Sequence, residues 1–253
     1  EALEEVNPDV VTFGEATDTG DALRRYQGRM NGVLDFPLAR ALRLTFATGD
    51  WLVAELDGFL ELYDSYMEDA PMRVSFLDNH DMDRFLYVAD QDRDALLLGL
   101  LCLLTLPQVP VLYYGTEIGM THEVSTSDRK RGGDALARQD MIWDREAWDD
   151  DLRSRTASLV RLRRDSPLVV RGARRRFHLD SDAAVYAYEL VDDDGASGES
   201  LVVAYNLSRE PRRIRVPRFG EVAFATKEGA ELAGGELKLP ARSGAVVNRT
   251  VVR

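Results

Sequence analysis

The residues best suited to chemistry in this chain stand at the ends of short apolar runs. Glu15 follows the run DVVTFG at Asp9–Gly14, and Asp35 lies inside GVLDFP at Gly32–Pro37. Asn79, His80 and Asp81 close a run that starts at Met72, while Tyr113, Tyr114 and Gly115 close another that starts at Val109. In parallel βα architectures the strand ends gather at one mouth, because the helices pack the outside. Carboxylates and a histidine at neighbouring strand ends suit acid and base work on a neutral, hydroxyl-rich substrate. The single cysteine, Cys102, allows no disulfide and no multi-cysteine metal site, and no metal-ligand spacing is present.

Taken singly, each residue has a structural reading. Glu15 alone reads as a solvated loop residue, and Asp35 is equally suited to cap the helix that follows it. His80 could satisfy a loop carbonyl, and Asp78 and Asp81 could cap turns. Their combination points to function, because an apolar strand ends in four consecutive polar residues where that end faces water or a ligand. His122 and His178 read as structural, and the basic clusters Arg161–Arg164 and Arg174–Arg176 as solvated faces.

These positions need a scaffold. Leu38, Leu42 and Phe46 recur every four residues and predict a helix, and Gly49 and Asp50 stop it and open another carrying Leu52, Leu56, Leu60, Tyr63 and Met67. Met72–Leu77 predicts a third strand, Ala95–Leu106 a buried helix opened by Asp92 and Asp94, and Val109–Tyr114 a fourth strand. A last amphipathic helix is expected from Asp150 to Arg164. Strand and helix thus alternate four times, the pattern of a parallel sheet. From Leu168 onward only short β-rich runs remain: Ala183–Leu190, Leu201–Tyr205, Arg213–Val216, Val222–Ala225 and Ala245–Val252. Turn signals such as DDDGASG at Asp192–Gly198 and the pair Gly234 and Gly235 separate them, as in a small antiparallel sandwich. The division falls near Ser166 and Pro167, giving units 1–166 and 167–253.

Composition narrows the function classes. Asp and Glu number 44 against 32 Lys and Arg, a net charge of −12 that repels phosphate backbones and anionic lipid, so neither nucleic acid nor membrane is an expected partner. The apolar stretch Ala95–Tyr114 is broken by Pro107, Gln108 and Pro110, too early for a membrane span. A reducing, cytoplasmic setting is expected, with any targeting information lost upstream of Glu1.

Four strings carry a resemblance. FGEATD at Phe13–Asp18, MNGVLDFPL at Met30–Leu38, FLDNHDMDRF at Phe76–Phe85 and PVLYYGTEIGM at Pro110–Met120 resemble, in this order, the second half of the α-amylase family of glycoside hydrolases. They look most like its neopullulanase, cyclomaltodextrinase and maltogenic amylase group. ARQDMIWD at Ala137–Asp144 and LVRLRRDSPLVVRG at Leu159–Gly172 are similar to that family's run into its C-terminal domain. The resemblance implies an α/β fold: the C-terminal half of a (β/α)8 TIM barrel, strands 5 to 8, followed by an all-β antiparallel sandwich. It further implies a retaining hydrolase of maltodextrin or related α-glucans. Glu15 would be the general acid and base, and His80 and Asp81 would bind sugar hydroxyls and favour the transition state. Asn79 would shape the turn and Arg84 would position its neighbours, both within reach of substrate; read from the residues themselves, Asp35 is a further substrate-contact candidate, and Tyr113, Tyr114 and Trp143 are candidates for apolar contact with sugar faces, the commoner role of such aromatics being in the core. No cofactor is implied and calcium is left open.

The family's nucleophilic aspartate precedes the segment matched here, so this chain is expected to carry the acid/base without its partner carboxylate. Four barrel strands alone would leave two open edges and an uncovered interior. The expected partners are therefore an oligosaccharide and the missing N-terminal half of the barrel, with self-pairing as a homodimer the alternative for the open edges. A non-catalytic amylase-like protein for carbohydrate binding or assembly is the competing function.

Overall fold

The computed structural model describes residues 2–17, 19–68, 71–192, 198–216 and 220–250. Asp18 of the FGEATD string, the centre of the turn at 193–197 and the strand end at 251–252 lie outside them. The chain opens with α1 (Ala2–Val6), β1 (Phe13–Gly14), α2 (Gly20–Arg24), β2 (Gly32–Leu34) and α3 (Phe36–Leu42), which passes into a π-helical segment at Arg43–Thr48. Next come α4 (Val53–Tyr66), β3 (Met72–Ser75), α5 (Phe85–Val88), α6 (Arg93–Thr105) and β4 (Val109–Pro110). Three 3-10 turns then lead to α7 (Asp150–Asp165) and α8 (Pro167–Arg171). The strands form one parallel sheet in the order β1-β2-β3-β4. β1 and β4 are only two residues long, shorter than their apolar runs predict, because each pairs for two residues with its single neighbour.

Local chemistry sets the helix limits. Asp35 accepts a hydrogen bond from Leu38 N at 3.0 Å and Asp92 one from Ala95 N at 3.1 Å, capping α3 and α6. α6 is buried on every side from Ala95 to Thr105, which explains its continuous apolar sequence. Its C-terminal end meets Arg163 of α7, whose guanidinium donates to the carbonyls of Leu104, Leu106, Pro107 and Gln108 at 2.6–3.3 Å. Gly99 lets α6 close on α5 and the strand-end segment, since a Cβ there would lie 3.0 Å from Phe85 Cζ and 3.3 Å from Leu77 Cδ1.

The remaining chain is β5 (Ala173–Asp180), β6 (Val185–Val191), β7 (Glu199–Asn206), β8 (Arg212–Arg215), β9 (Gly220–Ala225), β10 (Glu231–Ala233), β11 (Glu236–Leu239) and β12 (Ser243–Thr250). It makes a five-stranded antiparallel sheet, β5-β6-β7-β12-β9, and a three-stranded one, β10-β11-β8. Gly234 and Gly235, both at positive φ, form the tight turn between β10 and β11. Alternation decides the packing. Tyr186, Tyr188, Val203, Tyr205 and Val246 face the helical part, whereas Val185, Ala187, Val202, Ala204, Ala245 and Val247 share a core with Ile214, Val216, Leu237 and Leu239. The central strands are thus apolar on both faces.

The basic cluster Arg174–Arg176 departs from the expected solvated face. It opens β5, and the Arg174 side chain is 7% exposed, donating to Asp64 at 3.3 Å and lying 3.7 Å from the buried Asp57. Arg176 reaches the same Asp57 at 2.5 Å. With Thr105 Oγ1, Tyr188 OH and Tyr205 OH joined in one buried hydrogen-bonded group, these pairs fix the sheet to the helices. Among the described residues no helix is long and apolar enough to cross a membrane.

Candidate active site

β3 delivers Phe76, Leu77 and Asp78 into the interior before the chain turns outward. Asp78 is buried and accepts from Phe85 N at 2.8 Å and Thr116 Oγ1 at 2.9 Å; burial pushes its carboxyl above the ordinary range, and those bonds oppose the shift. Asn79 Oδ1 then accepts from Asp81 N at 2.9 Å, a local turn that projects His80 and Asp81 into solvent. Across the sheet, Glu15 leaves β1 immediately after Gly14. The ligating atoms of Glu15, His80 and Asp81 all lie within 4.8 Å of one another, and all three residues are exposed. β2 stands between the two strands in the sheet, so the three side chains gather across an intervening strand and not from adjacent ones.

His80 Nε2 stands 3.3 Å from Asp81 Oδ2. Arg138, unassigned by sequence, completes the group: its guanidinium pairs with Asp81 and its Nε donates to His80 O at 3.0 Å. Glu15, His80 and Asp81 are also a group that could share a cation. Arg138 already neutralises Asp81, which weakens the trio as a cation site. Nothing in the sequence around Arg138 announces a partner 57 residues away.

The other expected substrate contacts divide. Asp35 is fully buried; besides capping α3 it accepts from Tyr63 OH at 2.9 Å, and burial raises its carboxyl pKa. Its side chain serves the fold, and the expected sugar contact is not made available at the mouth. Arg84 is also buried, donating to Tyr114 O at 2.6 Å and Ala137 O at 3.4 Å, with its guanidinium 4.4 Å from the Tyr113 ring centre. It positions its neighbours and offers no free donor surface. Asn79 spends its oxygen on the turn, and its Nδ2 is buried without a partner among the described residues. Tyr114 is 38% exposed and donates to Gln139 O at 2.6 Å. Tyr113, its hydroxyl pushed up to about 12 by burial, donates to Ala137 O at 3.1 Å. These bonds anchor the segment carrying Arg138 to the end of β4. Trp143 follows that segment, 78% exposed. His122 is structural: it accepts from Arg84 N at 3.0 Å and its ring stacks on Tyr87.

Comparison with known proteins gives the arrangement its context. The family model for the α-amylase catalytic domain matches residues 1–156, more than half of the chain. The chain belongs to the α-amylase family. A second model, a domain of unknown function called DUF3459, matches residues 172–246 of this α-amylase family member. Among curated relatives it is 29% identical over 220 residues to a cyclomaltodextrinase of Geobacillus thermopakistaniensis, covering 86% of this chain and 35% of the relative. It is 28% identical over 246 residues to neopullulanase 2 of Thermoactinomyces vulgaris, covering 95% of this chain and 40% of the relative. Among solved structures, an α-amylase from H. orenii superposes with a TM-score of 0.78 at 22% identity, covering 98% of this chain and 55% of that one, and so shares its fold. The chain thus spans well under two thirds of the length of these relatives.

Proposed function

We propose that this chain forms the acid/base side of a retaining glycoside hydrolase acting on α-glucosidic bonds of maltodextrin or related α-glucans, with the nucleophilic carboxylate supplied from outside residues 1–253. The observation that carries the reading is the convergence of Glu15, His80 and Asp81 on one exposed spot at the strand ends. Cleavage of a glycosidic bond must protonate a poor leaving group and stabilise an oxocarbenium-like centre. Glu15 donates its proton to the leaving oxygen and later removes one from the incoming water. Hydrogen bonds from His80 and Asp81 to ring hydroxyls tighten as the sugar flattens, so they favour the transition state over the ground state. Glu15 is exposed, and nothing among the described residues encloses it.

The parallel sheet is, on this reading, strands five to eight of a (β/α)8 barrel, followed by a sandwich domain beginning near 167. Support comes from the two strands that end the sheet, β1 and β4, and from Phe13, Met72, Val109 and Val111, apolar strand and strand-end residues between 38% and 54% exposed. A closed barrel would pair those edges. The partner that fits is a first barrel half. The test is Glu15→Gln in the protein containing both halves: loss of about 10²–10⁴ in the rate of maltodextrin hydrolysis is expected. Retention of most of that rate overturns the assignment and favours a non-catalytic, carbohydrate-binding role.

A further inference from the structure

The segment that presents His80 and Asp81 runs from Leu77 to Asp83 and belongs to neither helix nor strand, so side chains must hold it. Asp78 ties its inner end to Phe85 N and Thr116 Oγ1. Arg138 ties its tip. The Asp83 carboxylate accepts from Ser125 Oγ at 2.9 Å and Thr126 N at 2.6 Å. A fourth tie comes from another element: Arg43, the first residue of the π-helical segment that follows α3. Its Nη1 donates to Leu77 O at 3.1 Å and to Asp83 O at 2.8 Å. One nitrogen thus closes the segment into a loop, gripping the carbonyls on either side of His80 and Asp81.

The surroundings suit that task. A π-helical turn is a rare form found often at functional sites, and this one packs against α5 and α6, which follow the loop in sequence. Arg43 is half-buried; burial lowers its pKa below the ordinary 12.5, and the Asp78 and Asp83 carboxylates oppose that shift. Among the described residues its guanidinium hydrogen-bonds only to the two loop carbonyls, and charged donors of this kind make strong bonds. The fold has another tie at this place, since Asp78 already joins the end of β3 to α5 and Thr116. What the Arg43 bonds add is a fixed separation of the loop's two ends, and with it the direction in which His80 and Asp81 point. We propose that Arg43 is a positioning residue for the hydrolysis, setting His80 and Asp81 against Glu15 through the ends of their loop. This rests on the reading of His80 and Asp81 as sugar-binding groups.

The test is the kinetics of maltodextrin hydrolysis by the protein containing both barrel halves. Arg43→Met fills similar space without a donor. Because the bonds from His80 and Asp81 tighten in the transition state, a loop displaced by about 1 Å should lower kcat and kcat/KM alike, by about 10², with KM changed by less than about threefold. Arg43→Lys keeps the charge and a nitrogen able to donate to both carbonyls, with a shorter reach, and should lose only about tenfold. A merely structural Arg43 would act the same whatever residue stands at position 80. Repeating both substitutions in His80→Ala separates the roles: the further loss should shrink by at least about threefold there, because only the Asp81 contact is left to misplace. If Arg43→Met does not fold, Arg43→Lys carries the comparison by itself. Parental kcat in the variant that carries it, a loss residing in KM, or an undiminished loss in His80→Ala overturns the proposal. A fully active His80→Ala protein overturns the underlying reading and the proposal with it, whereas an impaired His80→Ala beside a fully active Arg43→Met overturns the proposal alone.

Discussion

Asp35 separates a structural from a substrate-binding role most cleanly, and its substitution can be worked through from the geometry. In Asp35→Ala two acceptances disappear: the cap on Leu38 N and the bond from the buried Tyr63 hydroxyl. A lost cap costs about 1 kcal/mol and an orphaned buried hydroxyl about 1–3 kcal/mol, so a destabilisation of about 2–4 kcal/mol is expected. Asp35→Asn keeps an acceptor at the Oδ1 position and should stay within about 1 kcal/mol of the parent at neutral pH. Burial raises the Asp35 pKa above its ordinary 3.8, so the folded chain binds the proton more tightly than the unfolded one. This carboxyl's contribution is therefore most favourable below pH 3.8 and declines as pH rises toward the folded value. Asp35→Asn removes that slope. Urea unfolding of the three proteins across the acid range measures both effects, with equal m-values confirming comparable unfolding. Two variants of unchanged stability that lose maltodextrin hydrolysis would refute the structural assignment and restore Asp35 to the substrate.

Other consequences follow from the same contacts. Arg138→Met frees Asp81 and the His80 carbonyl from their common tie and should lower kcat/KM on maltodextrin by about 10² while the circular dichroism spectrum is unchanged; kinetics of the variant check this. Arg174→Met leaves Asp57 to Arg176 and Asp64 to Arg73, so the loss of its charged hydrogen bond and packing should cost about 1–3 kcal/mol, read from the urea midpoint. Burial pushes the Cys102 thiol from 9.0 up to about 12 and holds the Tyr188 and Tyr205 hydroxyls above their ordinary 10.0. These groups keep protons in the folded state that the unfolded chain releases, so stability is intact below pH 9 and falls progressively above it. Urea midpoints from pH 8 upward measure this, and Tyr188→Phe should flatten the decline.

How much of this was legible in the sequence depends on whether a residue's task is local. α4, α6 and α7 are announced by apolar spacing and by Asp92 at an N-cap, because the information lies within a few residues. β5 was hidden, since three consecutive arginines look solvated until Asp57 and Asp64, more than a hundred positions earlier in sequence, are brought alongside. The short β10 and β11 escaped for a related reason: their alternation spans too few residues to stand out, although the two glycines between them mark the turn. At the site, strand-end position brought Glu15, His80 and Asp81 to notice, and the structure gathers them. Side-chain direction was not legible. Asp35 and Arg84 have the right chemical types at the right strand ends, yet one turns inward to a helix cap and the other beneath two tyrosines.

The central claim is that Glu15 protonates the departing oxygen, and leaving-group dependence tests it most directly. Maltotetraose and α-maltosyl fluoride should be compared as substrates of the protein with both barrel halves and of its Glu15→Gln variant. Fluoride departs with little need of a proton donor, so the account predicts that glycosylation by the fluoride largely survives while cleavage of maltotetraose collapses by about 10²–10⁴. Equal losses on both substrates, or no loss on maltotetraose, would contradict it.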